Sequence, residues 1–122
     1  MACLRMHASV EECTPFAELG HPDVAYKIAG KIFAFLCVPD GPSCLHEEAS
    51  NLLVLKCDPD VAVDLRDSHP GVIEPAWHWN KKYWNQIRYD KLSEKVVTGL
   101  IADSFSLVVA KLTKKAKSEL AL

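Results

Sequence analysis

The sequence lacks the features that would place it in a membrane or outside the cell. No apolar run approaches the roughly 18 residues needed to cross a bilayer, and the longest spans residues 32–38. The N-terminus shows no continuous apolar segment of the kind found in secretory signals. We therefore expect a cytoplasmic protein that does not associate with membranes.

The sequence also lacks the common motifs of cysteine-based, nucleotide and catalytic sites. Its five cysteines are an odd number without C-x-x-C spacing, which argues against a disulfide framework or a structural zinc site. Gly-rich phosphate loops and the G-x-S-x-G nucleophile motif are absent. Cys57 and His78 could form a nucleophile and base, but a buried thiol and a turn histidine are the favoured interpretation. We expect no enzyme, no metal and no cofactor.

The charge is close to balanced but unevenly distributed. The net charge is −2 and the pI is about 6.2, below the value above about 9 that is typical of a dedicated DNA-binding domain. Residues 1–75 carry five Lys/Arg and twelve Asp/Glu, whereas residues 76–122 carry nine and four. An anionic partner could bind the basic part if the fold gathers its cations on one side.

The 122 residues predict a single domain, residues 1–122, with alternating strands and helices. Residues 9–13 suggest a short first helix with Ser9 as its N-cap. Pro39-Asp40-Gly41-Pro42 indicates an exposed loop over residues 39–51. The expected strands cover residues 23–29, 31–38, 52–57, 72–75 and 83–90, and the other helices cover residues 58–68 and 93–113. This order, α-β-β-β-α-β-β-α, predicts a two-layer α+β sandwich with an antiparallel sheet.

Apolar spacing predicts which face of each helix is buried. In the helix at 58–68, Asp58 is the expected N-cap, Pro59 takes the first position, and Val61, Ala62 and Leu65 form the buried stripe. In the last helix, Ser93 is the N-cap, and four apolar residues are expected to be buried against the sheet. These four are Leu100, Ile101, Phe105 and Val108.

Alternation in the strand at 83–90 places Trp84 on the face opposite Ile87 and Tyr89. Trp84 is therefore either displaced by a bulge or packed on the outer surface of the sheet. That outer face is expected to stay at least partly open. Its candidate residues are Tyr26, Lys56, Trp84, Gln86 and Arg88.

Residues 69–91 contain all three tryptophans interleaved with cations, a combination that can stack on bases and hold phosphates. Such rings can equally cover a small core, which is the more common role. Lysines at the end of the last helix either complement the helix dipole or bind phosphate. The nucleic-acid-binding candidates are Lys81, Lys82, Trp84, Arg88, Lys114 and Lys115.

Five separated motifs resemble the MmcQ/YjbR family, in the order and spacing seen there. They are Lys31-Ile32-Phe33-Ala34, Leu55-Lys56-Cys57-Asp58-Pro59, Pro70-Gly71-Val72, Pro75-Ala76-x-His78-x-Asn80-Lys81-x-x-Trp84 and Ser104-Phe105-x-Leu107-Val108. The resemblance spans residues 16–115 and implies a fold similar to type III secretion chaperones. It also implies DNA binding through a double-wing arrangement of loops. The family usually begins with a full helix, so the first helix is expected to be shortened here.

Two functions follow from these observations. The first is weak, non-specific DNA binding through the basic and aromatic surface, with the loop at 39–51 as one wing. The second is a protein-interaction module, or a homodimer, that uses the open sheet face. We interpret Pro75, His78 and Asn80 as structural residues that fix the turn into the last strand.

Overall fold

The computed structural model describes residues 7–15, 23–37, 52–76 and 79–120. The loop expected at 39–51 lies outside this part of the chain. The strands are β1 Glu11–Cys13, β2 Val24–Ile28, β3 Lys31–Cys37, β4 Leu52–Lys56, β5 Ile73–Pro75 and β6 Trp84–Arg88. The helices are α1 Pro59–Ser68, α2 Glu94–Ala110 and α3 Lys114–Glu119, with a 3₁₀ turn at Tyr89–Lys91.

The six strands form one sheet in the order β1-β2-β3-β4-β6-β5, and every neighbouring pair is antiparallel. After β4 the chain runs through α1 to the outer edge, forms β5, and returns as β6 between β5 and β4. Helix α2 lies across β3 and β4 and buries one face of the sheet. The predicted α+β architecture with an antiparallel sheet is confirmed.

The first element in the described part of the chain is the strand β1, so the helix expected at residues 9–13 is wrong. Glu11 pairs with Lys27 and Cys13 pairs with Ala25, which makes β1 an edge strand. An isolated helix of five residues is too short to offset its nucleation cost. In the strand, the backbone N–H and C=O groups of these residues pair with β2 instead. Local propensity cannot predict this pairing, because β2 is distant along the chain.

Both helix N-termini predicted from capping residues are confirmed. Asp58 Oδ1 accepts a hydrogen bond from Asp60 N at 3.1 Å, and Ser93 Oγ accepts one from Val96 N at 3.3 Å. Helix α2 ends at Ala110, however, and α3 begins after a new N-cap at Thr113. The single continuous helix expected at 93–113 is therefore wrong at its C-terminal end. The first helix stops at Ala110, and Thr113 caps a second, short helix.

The buried faces of the helices differ in part from the apolar stripes. In α1, Ala62 is buried as expected. Val61 is 46% exposed, so the expected burial of Val61 is wrong. The small Ala62 faces the sheet, where Asn85 Nδ2 donates to its carbonyl oxygen at 3.4 Å. In α2, Ile101 and Val108 are buried as predicted. Leu100 and Phe105 are only half-buried at the margin of the core.

A β-bulge in β3 widens the contact between the sheet and α2. Tyr26 is paired with Ala34, and the next residue, Lys27, is paired with Ile32. Phe33 is thus the extra residue on β3, and it points to the same side as Ala34. The bulge places the Phe33 ring under α2, where it meets Phe105 edge-on at 5.2 Å between ring centroids.

A serine hydroxyl from α2 replaces a backbone hydrogen bond at this bulge. The β3–β4 ladder pairs Ala34 with Leu55, and continuing it would pair Phe33 with Lys56. Ser104 Oγ instead donates to Phe33 O at 2.5 Å and accepts from Lys56 N at 2.8 Å. Ser104 is fully buried. Its hydroxyl therefore provides hydrogen-bond partners for two backbone groups that the bulge keeps from pairing with each other.

The second face of the sheet is buried, so the expectation that it stays open is wrong over its centre. Ala25, Phe35 and Val54 are each at most 2% exposed. The Trp79 ring meets Phe35 at 5.9 Å between centroids and contributes to this second core. Aromatic residues near the last strand therefore cover apolar side chains that alternation alone left facing solvent.

Two residues expected on the open face are themselves buried. Tyr26 is 5% exposed and belongs to the core beneath α2, because it shares a face with Ile28. Gln86 is 4% exposed within β6. Trp84 packs on the second face, and β6 pairs with β4 without a register shift. Of the two alternatives for Trp84, the structure therefore shows outer packing and no bulge.

Candidate functional site

The structure separates the cations that the sequence singled out. Lys81 and Lys82 lie in the turn before β6, whereas Arg88 lies at the far end of β6, about 13 Å along the strand from Trp84. Arg88 is also bound locally, because its Nε donates to Gly71 O at 3.2 Å and its Nη2 lies 3.8 Å from Glu74 Oε1. It therefore braces β5 against β6.

The other two sequence-predicted lysines, Lys114 and Lys115, are exposed in the first turn of α3. This turn follows Lys111 and its neighbours at the end of α2. His78 lies outside the described residues. Pro75 ends β5, where it pairs with Asn85 across the ladder.

Asn80 organises the turn that leads into β6. Its side-chain Oδ1 accepts a hydrogen bond from Lys82 N at 3.1 Å. Its carbonyl oxygen accepts from Tyr83 N at 3.1 Å and from Trp84 N at 3.0 Å. The Arg66 guanidinium donates both to the carbonyl oxygen of Lys81 and to Asn85 Oδ1, which ties the same turn to α1.

Replacing Asn80 with alanine should lower the free energy of unfolding by about 1 kcal/mol, because Lys82 N loses its side-chain acceptor. Urea denaturation followed by circular dichroism measures this change. Asn80→Asp is the matched control, since it keeps an acceptor oxygen at the same place and should unfold close to the wild type. An equal loss in both variants would show that the amide group, rather than the acceptor, is required.

A groove of 440 Å³ opens at one end of the sheet, below the C-terminal end of α2. Three lysines from three different elements line it together with apolar side chains. We call this site the basic groove; it is lined by Lys31, Ile32, Lys56, Trp84, Lys111 and Leu112.

Local structure fixes the position of each lysine in the basic groove. Lys31 begins β3 directly after a tight turn in which Ala29 and Gly30 both have positive φ, 52° and 75°. Two such residues form the turn that matches the twist of a hairpin. Lys56 ends β4, where the Ser104 hydroxyl holds its backbone nitrogen. Lys111 follows the last residue of α2 as its C-cap.

The basic groove carries positive charge that its own walls do not neutralise. Burial lowers the pKa of the Lys56 ammonium below its usual value of 10.5, and the charges of Lys111 and Lys31 lower it further. Within the described part of the chain, no carboxylate forms an ion pair with any of these three lysines. An anion in the groove would offset both the repulsion and the desolvation.

Aromatic rings flank the lysines on one side. Lys111 Nζ lies 5.7 Å and Lys82 Nζ 5.6 Å from the centroid of the Tyr83 ring, so Tyr83 joins the groove to the turn before β6. Trp84 lines the groove itself and packs on Trp79 at 4.6 Å between centroids. Of the residues predicted from the sequence, the structure brings Lys82 and Trp84 to this region.

The basic groove was missed in the sequence because its lysines are far apart along the chain. A weak signal was present at Lys56, which ends an otherwise apolar strand, Leu52–Lys56. Lys111 belongs to the lysines at the end of the last helix, for which the sequence leaves two roles open, complementing the helix dipole or binding phosphate. Neither residue type nor spacing along the chain could predict that Lys56 and Lys111 lie close to Lys31.

The rest of the described chain offers no second chemical site of comparable definition. Burial raises the pKa of the Cys57 thiol above 9.0, and the nearby carboxylates of Asp103 and Asp58 raise it further. This thiol is therefore a poor nucleophile at neutral pH. Across residues 7–15, 23–37, 52–76 and 79–120, no cluster of metal-ligating side chains occurs, and no helix is long and apolar enough to span a bilayer.

The fold and the groove define a small α+β protein with one helix-covered antiparallel sheet. The sequence profile of the YjbR family matches residues 6–107, and the chain belongs to this family. It is 34% identical over 107 residues to the uncharacterized protein YbdF of Escherichia coli O157:H7. That match covers 87% of this chain and 78% of the relative.

Two crystal structures are similar to this chain over most of its length. A Deinococcus radiodurans protein with a DUF419 domain has a TM-score of 0.80 at 26% identity, with 99% of this chain and 84% of that chain covered. A Pseudomonas syringae protein has a TM-score of 0.63 at 27% identity, with coverages of 80% and 86%. The family predicted from the sequence motifs is confirmed.

Proposed function

We propose that the protein binds nucleic acid weakly and without sequence specificity, through phosphate contacts in the basic groove. The observation that carries this proposal is the convergence of Lys31, Lys56 and Lys111 on one concavity without a carboxylate partner among the described residues. A protein rarely holds like charges together in a partly desolvated site, since each raises the free energy of the others. A bound polyanion would reverse that cost.

The groove suits an extended polyanion better than an isolated ion. It is open to solvent, and Lys82 continues its positive charge across the Tyr83 ring toward the turn before β6. Successive phosphates could therefore contact successive cations. Ring and ammonium groups in alternation are the usual lining of nucleic-acid-binding grooves.

The acidic remainder of the chain sets the strength of this interaction. The net charge of −2 means that the protein as a whole weakly repels phosphates that approach the groove. We therefore expect dissociation constants of about 10⁻⁴–10⁻⁶ M, the range of non-specific association. The described residues that line the groove include no Arg, Asn or Gln, the side chains that most often bind base edges in a bidentate manner, so sequence preference is not expected.

Salt dependence tests the proposal directly. Three phosphate contacts should give a log–log slope of binding against salt of about −2 for a single strand and about −2.7 for a duplex. The affinity should then fall about 15- to 40-fold between 50 and 200 mM salt. Fluorescence anisotropy of a short labelled oligonucleotide measures this change.

The control for this titration uses the lysines that the sequence favoured. Lys114→Ala/Lys115→Ala removes two exposed charges outside the groove lining and should leave the slope nearly unchanged. No binding at the lowest salt concentration would reject the proposed function. A slope that falls only in the Lys114→Ala/Lys115→Ala variant would move the interface to α3.

A further inference from the structure

We infer that the ligand of the basic groove is single-stranded nucleic acid, with a phosphate on Lys56 and an unpaired base stacked against Trp84. This inference rests on the proposed function, because it specifies which form of nucleic acid the same site takes. It follows from the arrangement of apolar and cationic groups within the groove.

The first step concerns the composition of the groove walls. Ile32, Trp84 and Leu112 line the groove beside the lysines. A duplex presents only phosphates and sugars to a groove of this kind, because its bases are paired and stacked inside. The apolar wall would then remain unused. A single strand exposes a flat, apolar base next to each phosphate, which satisfies both kinds of wall at once.

The second step concerns size and shape. The groove volume of 440 Å³ falls within the range of about 300–1,000 Å³ typical of pockets that enclose one small ligand. A concavity of this size can receive one nucleotide of a flexible strand. The rigid, convex surface of a duplex would contact its rim and leave its interior unfilled.

The third step concerns the rigidity of the stacking surface. The Trp84 ring rests on Trp79, with 4.6 Å between centroids and 44° between planes, and Trp79 in turn meets the buried Phe35 edge-on. Trp84 also begins β6 and pairs with Lys56 across the β4–β6 ladder. The ring and the ammonium group are thus held on neighbouring strands, one for the base and one for its phosphate.

The test compares a thymidine oligonucleotide with a duplex of the same length. Wild-type protein should bind the single strand about tenfold more tightly at low salt. Trp84→Leu should lower the affinity for the single strand about tenfold while leaving the duplex affinity unchanged. Trp84→Phe keeps an aromatic face and should retain most of the single-strand affinity. A structural defect would lower the affinity for both probes, so an unchanged duplex affinity separates base stacking from a structural role for Trp84.

A second measurement uses the unmodified protein and does not depend on the folding of a Trp84 variant. A single strand that carries 5-iodouracil should photo-crosslink to the aromatic side chain on which the base stacks, and mass spectrometry of the digest should place the link at Trp84. A crosslink elsewhere would overturn the inference. If the single strand and the duplex bind with equal affinity, and Trp84→Leu changes neither affinity, the inference is overturned while the proposed function stands. Failure of both probes to bind would instead reject the proposed function.

Discussion

Replacing Ser104 with alanine should lower the free energy of unfolding by about 2–4 kcal/mol, a large effect for the loss of one oxygen atom. The hydroxyl stands between Phe33 O and Lys56 N, at 2.5 and 2.8 Å, and it is fully buried. Without it, Phe33 O loses its partner in the buried interior, and Lys56 N loses its partner at a partly buried position beside the groove. Each buried unsatisfied group costs about 1–3 kcal/mol.

Chemical denaturation of Ser104→Ala measures this loss. Ser106→Ala is the matched control, because Ser106 lies on the same helix but is exposed, and its replacement should change stability by less than about 0.5 kcal/mol. If Ser104→Ala and Ser106→Ala have the same free energy of unfolding, β3 and β4 must pair at this point without the hydroxyl. The bulge would then not depend on the hydroxyl from α2.

Replacing both Lys56 and Lys111 with methionine should lower the affinity for an oligonucleotide about 100-fold at 50 mM salt, because two phosphate contacts are lost. The same change should raise the free energy of unfolding by up to about 1 kcal/mol, because it removes repulsion between neighbouring cations. Methionine keeps most of the length of the side chain and suits the apolar part of the groove. Weaker binding combined with greater stability separates a binding role from a folding defect.

The pH dependence gives this prediction a second readout. Lys56 has a folded-state pKa below 10.5, so the unfolded chain binds more protons than the folded chain as the pH approaches that value. The stability contribution of Lys56 in the wild type therefore rises with pH in this window. The stability advantage of the methionine variant should shrink accordingly.

Lys91→Met/Lys95→Met is the control for this pair. Both lysines are exposed and lie outside the groove lining, so their replacement should change affinity far less. Loss of stability in the Lys56→Met/Lys111→Met variant would show that the two ammonium groups serve the fold. An unchanged affinity would place the interface elsewhere.

Local sequence signals were sufficient to predict most of the architecture. Capping by Asp58 and Ser93, the alternation in β2 and the apolar spacing of α2 each involve residues within one or two turns of chain. Their structural consequence is therefore local as well. β1 was not predictable in this way, because three residues become a strand only when the edge of β2 is available.

The basic groove could not be predicted for a related reason. Lys31 and Lys56 belong to the acidic part of the chain, whereas Lys111 belongs to the basic part. A count of charge along the sequence therefore favoured Lys81, Arg88 and their neighbours. The pairing of β3 with β4 and the packing of α2 on these strands bring the three lysines together, and neither leaves a periodic signal in the sequence.

The two outer strands have a consequence for how copies of this chain meet one another. β1 presents exposed Glu11 and Glu12, and β5 is only three residues long and ends in Pro75, which has no backbone N–H to donate. Charge, shortness and proline are the devices by which sheets resist the addition of a foreign strand. Molecules of this protein at high concentration should therefore not polymerise edge to edge. Copies that bind side by side on one nucleic-acid strand, as proposed, would remain separate from one another.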